Sequence, residues 1–67
     1  MIYIALIKSK DTMHPPKLIV RDVEREMKEY LLSLPAIYVV ETFAVYDNEK
    51  GETKHYTLRD LVEFLKD

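Results

Sequence analysis

The first seven residues, Met1-Ile2-Tyr3-Ile4-Ala5-Leu6-Ile7, constrain this chain more than any other segment. The run ends at Lys8 and is apolar at odd and even positions alike. Its length and its β-branched and aromatic content fit a strand better than a helix. Successive side chains of a strand point to opposite faces, so this one needs apolar cover on both. A chain of 67 residues has little to offer. A domain of that size buries only about 60% of its unfolded surface. Ordering it costs on the order of 100 kcal/mol, at roughly 1.5 kcal/mol per residue.

Small folds meet that cost with disulfides, a structural metal or oligomerisation. The chain has no Cys, and its two His, His14 and His55, are far apart. Disulfides and thiolate metal sites are therefore excluded, and no metal site or cofactor is expected. Self-association or unusually good packing is what remains.

The composition, 48% apolar and 33% charged, is that of a globular chain. The longest uncharged stretch, Tyr30 to Val40, is eleven residues and is interrupted by Ser33 and Pro35. A membrane-crossing helix needs about 20. No basic segment precedes the first apolar run and no small-residue cleavage site follows it, so no signal peptide is expected and the cytoplasm is the default location. The formal charge of −2 comes from interspersed acids and bases. It supplies no broad basic field for phosphates. Gln is absent, Asn48 and Gly51 are the lone Asn and Gly, and Lys and Glu dominate the charge. Thermophile proteins share that bias, and a thermophilic source is one expectation it raises.

Along the chain, residues 2–8 read as the first strand. A polar connection follows from Lys8 to Pro16, where Pro15 and Pro16 hold the backbone extended. A helix is expected from about Pro16 to Leu34, with Ile19, Val20, Val23, Met27, Tyr30, Leu31 and Leu34 forming its apolar stripe. An alternative parse makes Lys17–Val20 a short extended segment and Asp22 the N-cap of a shorter helix. Pro35 ends the helix in either case.

The second strand is expected over Ile37 to Tyr46. Asp47 to Gly51 form a hairpin loop, with Gly51 in the left-handed conformation that closes a type I turn with a bulge. Glu52 to Tyr56 return as a short strand. Thr57 then caps a last helix, paired with Asp60 in a capping box. Leu58, Leu61, Val62 and Leu65 are its expected buried stripe, with Phe64 at its flank.

The pattern thus predicts a single α+β domain over residues 1–67, in the order β-α-β-β-α. Its three-stranded mixed sheet carries helices mainly on one face. A right-handed crossover makes the first two strands parallel, and the hairpin makes the third antiparallel to the second. The most apolar strand then lies at a sheet edge, where unpaired N–H and C=O groups invite another chain. Pairing of two first strands across a two-fold axis, with Ile4 and Leu6 at the seam, is the expected route to a homodimer.

Chemistry-bearing residues are sparse. His14 before Pro15-Pro16 and His55 in the return strand read as surface histidines rather than ligands or bases. Glu41 shares the face of Ile37, Val39, Phe43 and Val45 in a regular strand, which would bury it and raise its pKa. A β-bulge near Glu41-Thr42 would instead send it to solvent. Ser9 and Ser33 have no patterned acid–base partners, and one Gly cannot build a phosphate-cradling loop. An enzyme is not expected.

Tyr38 and Tyr46 share one strand face by spacing, and Tyr3 and Tyr56 are placed with them on an open surface. Tyr is rigid and amphipathic, so such a stripe suits a protein interface. The expected function is therefore a small non-enzymatic interaction or accessory protein. The alternative is a single-stranded nucleic-acid-binding protein in which those rings stack bases while Lys8, Lys10, Lys54 and His55 reach the backbone.

Overall fold

The computed structural model describes residues 1–11 and 13–66; position 12 of the polar connection lies outside them. The described residues form β1 (Ile2–Ser9), β2 (Lys17–Arg21), α1 (Glu24–Leu32), β3 (Tyr38–Asp47), β4 (Glu52–Tyr56) and α2 (Leu58–Leu65). The class is α+β, but the sheet has four strands in the order β2-β1-β3-β4, all antiparallel. The expected three-stranded mixed sheet is corrected on both counts, and one added strand accounts for both.

β2 is that strand. The segment Lys17-Leu18-Ile19-Val20-Arg21 pairs with β1 from Ile7↔Lys17 to Tyr3↔Arg21. The long helix from Pro16 is therefore replaced by the alternative parse, a strand followed by a nine-residue helix. Asp22 is not its N-cap; that position is Val23, which makes no side-chain capping bond, while Glu24 and Glu26 place negative charge at the positive end of the helix. Two ion pairs run along α1, Arg25–Glu29 at 3.6 Å, exposed at both ends, and Glu24–Lys28 at 4.0 Å, whose lysine is partly buried. Each contributes a few tenths of a kcal/mol, about 0.3–0.5.

With β2 on one side and β3 on the other, β1 is an interior strand. The chain reverses once more than expected, so β1 and β3 run antiparallel and the helical crossover joins β2 to β3 around β1. The edge strands are β2 and β4. Pairing of two first strands through an exposed β1 edge is thereby overturned: both sides of β1 already carry hydrogen-bonded neighbours.

Both helices close one face of the sheet. Tyr3, Ala5, Ile7 and Ser9 are buried, and they alternate with half-buried Ile2, Ile4 and Leu6 and with exposed Lys8. The buried set packs with Met27 and Leu31 of α1, Leu61 of α2, and Phe43 and Val45 of β3. Phe64 stands within 5.0–6.0 Å of the rings of Tyr3, Phe43 and Tyr56. That contact sets the rotation of α2. Leu61, Phe64 and Leu65 face the sheet, while Leu58 and Val62, both expected in the buried stripe, are exposed. The capping box forms as expected: the Asp60 N–H donates to Thr57 Oγ1 and the Thr57 N–H donates to Asp60 Oδ2, each at 3.1 Å. Those bonds hold the Asp60 carboxyl below its ordinary range, the bond from the Thr57 backbone most of all.

The hairpin between β3 and β4 also follows the sequence. The Gly51 N–H donates to the Asp47 carbonyl at 2.7 Å, and Gly51 has φ +68°, the left-handed region glycine enters freely. No helix among the described residues is long and apolar enough to cross a membrane.

Candidate interaction surface

Directly opposed residues of neighbouring strands share a face, so the register defines the side of the sheet that the helices leave open. Ile4 lies between Val20 and Ala44, and Leu6 between Leu18 and Thr42. Ile2 opposes Tyr46, and Lys8 opposes Val39. On β4, His55 opposes Ala44 and Thr53 opposes Tyr46. The centre of this face is aliphatic. Leu18 is 64% exposed, Val20 48% and Val39 43%. Among the strand-paired residues, one charged side chain, Lys8, lies on the face, at the end of β1.

A bulge shapes the surface. Leu6 pairs with Thr42 but Ile7 pairs with Val40, so Glu41 is the extra residue of β3. It is exposed. The bulge reading of Glu41 holds, and the buried acid or base does not form. The same extra residue separates two tyrosines that a regular strand would align. Tyr38 opposes buried Ser9 on the helix side, whereas Tyr46 opposes Ile2 on the open side.

The structure therefore disperses the expected tyrosine surface. Tyr3 is buried at 8% exposure, under the helices. Desolvation there, with the nearby Glu24 and Tyr56, pushes its phenol above its ordinary pKa. Tyr56 packs edge-on against Phe43 at 5.0 Å. Tyr38 takes the Lys17 ammonium over its ring at 5.5 Å. Only Tyr46 of the four stays on the open face, together with Ile4 and Leu6. Of the candidate phosphate contacts, Lys8 and His55 share that face. Lys54 opposes Val45 on the helix side and lies over Tyr56 at 5.2 Å, and Lys10 sits in the connection after β1. Reasoning from sequence missed Leu18, Val20, Val39 and Ala44. The available signal was the second apolar face of β1, which demanded exposed aliphatic neighbours once a strand paired on each side.

Two other features hold polar groups. On the helix side, a cleft of about 580 Å³ is lined by Lys17, Arg21, Glu26, Glu29, Tyr30 and Tyr38 among others. Arg21 lies over the Tyr30 ring at 5.4 Å and donates to its neighbour's carbonyl, Val20 O, at 2.8 Å. The cleft mixes cations and anions and favours neither ligand charge. In the connection after β1, His14 Nδ1 and Asp11 Oδ1 are 3.0 Å apart, and the Met13 N–H donates to the same oxygen at 3.0 Å. These bonds, the His14 one first, hold the Asp11 carboxyl below its ordinary range. Both side chains of the pair are about half exposed. The described residues hold no cluster of three or more metal-ligating side chains.

No protein-family model, curated protein or solved structure matches this chain.

Proposed function

We propose that this chain is a small interaction module that acts by presenting the open face of its sheet to another protein. One observation carries the reading. The helices close one side of the sheet, whereas Leu18, Val20 and Val39 remain exposed on the other, around an aliphatic centre with a lone lysine at its end. A contiguous apolar patch rimmed by polar groups is characteristic of a docking surface. Dispersion of the acid–base candidates supports a non-catalytic role: Glu41 is at the bulge, His55 on the open face and His14 in the connection after β1. The test is affinity capture with wild-type protein and with the Leu18→Glu/Val20→Glu variant. A protein partner retained by the first and lost by the second supports the reading; recovery that ignores the substitutions refutes it.

The second reading, single-stranded nucleic-acid binding, draws on Tyr46, His55 and Lys8 sharing the open face. It is less favoured because phosphate recognition needs several cations, and Lys17, Arg21 and Lys54 lie on the helix side. Retention of a labelled single strand that falls steeply with added salt would establish it over the first.

A further inference from the structure

We infer that the partner covering the open sheet face is a second copy of this chain, packed sheet against sheet about a two-fold axis. The inference rests on the interaction reading and names its occupant.

Surface area is the first argument. A folded monomer of 8.0 kDa is expected to expose about 4,450 Å². This chain exposes 5035 Å². The radius of gyration is 12.0 Å, against about 10.9 Å for a compact chain of this length. The molecule is a two-layer slab with one layer uncovered, and its excess is about 600 Å². That excess belongs to the whole molecule, with exposed Met13 and Leu58 contributing to it; two copies each burying a comparable area of the open face would hide about 1,200 Å², the lower bound of stable, specific interfaces.

Charge is the second argument. A two-fold interface sets a surface against itself, so any strong field on it is self-repelling. Among the strand-paired residues of the open face Lys8 alone carries a formal charge, and the centre is Ile4, Leu6, Leu18, Val20 and Ala44. The sheet edges are poorer seams. Two β2 strands paired antiparallel about Ile19 would set Lys17 opposite Arg21, and two β4 strands paired about Lys54 would set that lysine against its own copy. Directly opposed like charges destabilise a ladder. Sheets that pack face to face keep about 10 Å between them and interdigitate aliphatic side chains. The resulting dimer has helices outside, two sheets inside, and a second apolar core between the sheets.

The test is light scattering on the untagged wild type, on Leu18→Glu/Val20→Glu and on Leu58→Glu, over as wide a concentration range as solubility allows, with far-UV circular dichroism of each. The expected wild-type mass is twice the 8.0 kDa of the chain. The open-face variant should fall to half that mass with its dichroism unchanged, and Leu58→Glu, on the outer side of α2, should remain dimeric. If the charged pair loses native dichroism, Leu18→Thr/Val20→Thr, which keeps strand-forming residues, takes its place. A wild type that is monomeric throughout overturns the second-copy inference. If face-dependent capture of a different protein then persists, the interaction reading survives without it. A dimer indifferent to the open-face substitutions, or broken by Leu58→Glu instead, overturns the inference and removes self-association as support for that face.

Discussion

The two faces of the sheet are built from the same strands and have different fates. On β1, Tyr3, Ala5 and Ile7 are shielded by α1 and α2, while Ile2, Ile4 and Leu6, no less apolar as a group, are shielded only by neighbouring side chains. On β3, Phe43 and Val45 lie in the core, and Ala44 between them belongs to the open face, 6% exposed because Ile4 and its neighbours crowd it. Hydrophobicity alone does not separate the two faces. What separates them is that the described residues supply two helices, enough to close one side of a four-stranded sheet. The uncovered side is left as a surface whose apolar character is a liability unless something binds there.

Truncation should set the two faces apart most strongly. Phe43→Ala should destabilise the fold by about 3–5 kcal/mol, because the lost ring is fully buried and α2 packs on it. Leu18→Ala, under dilute conditions that keep the chain monomeric, should stay within about 0.5 kcal/mol of wild type. Urea denaturation measures both. Equal costs would mean that the open face is part of the folding core.

Enlargement sharpens the same contrast from the other side. Ala5 is wholly buried beneath the helices. Ala5→Leu should cost about 1–3 kcal/mol through overpacking, whereas Ala44→Leu, which projects away from the helices, should cost less than about 1. Thermal unfolding of the two variants at matched concentration gives the comparison.

Smaller effects come from the elements that hold the helix-covered side in place. Removing the cap by Thr57→Ala should cost about 1 kcal/mol. Its partner Asp60 gives that cap a pH dependence. The folded-state pKa lies below the ordinary 3.8, so the carboxylate stabilises the fold above that pH and loses this contribution as pH falls through the lowered value. Acidification into that range should therefore lower the urea midpoint of the wild type more than that of Asp60→Asn. Gly51→Ala should cost about 1 kcal/mol, through backbone strain alone, since nothing lies within 4 Å of an added Cβ. A matching loss of signal from both ends of the hairpin would show that the turn and the sheet melt together.

Local rules made a good part of this fold legible. The Asp47–Gly51 loop with its left-handed glycine, the Thr57–Asp60 box and the stop before Pro35 each depend on residues close in sequence, and each formed as expected. Longer-range features were harder to read. Leu18-Ile19-Val20 satisfies a helical stripe with Val23 and Met27 as well as it satisfies a strand, and a five-residue run cannot choose between the periods. The choice fell to β1, whose open backbone groups and apolar faces made a hairpin partner worth more than an extra turn of helix. The bulge at Glu41 is of the same kind. The inserted residue left one mark, a carboxylate among Ile37, Val39, Phe43 and Val45, which a bulge or a buried acid explains alike; the β-branched and small residues around it fit either face, yet the insertion moved Tyr38 and Tyr46 to opposite sides and dissolved the expected tyrosine surface.

The α+β class, the Asp47–Gly51 turn, the Thr57–Asp60 cap and the need to cover the first strand on both faces were all readable in the chain, because they follow from periodicity and from contacts a few residues apart. Long-range packing set the rest: β1 lies inside the sheet, its helix-facing side is closed from within, and the surface at issue is a face and not an edge. Strand order and register are set by which distant segments compete for the same backbone hydrogen bonds, and that competition has no local signature.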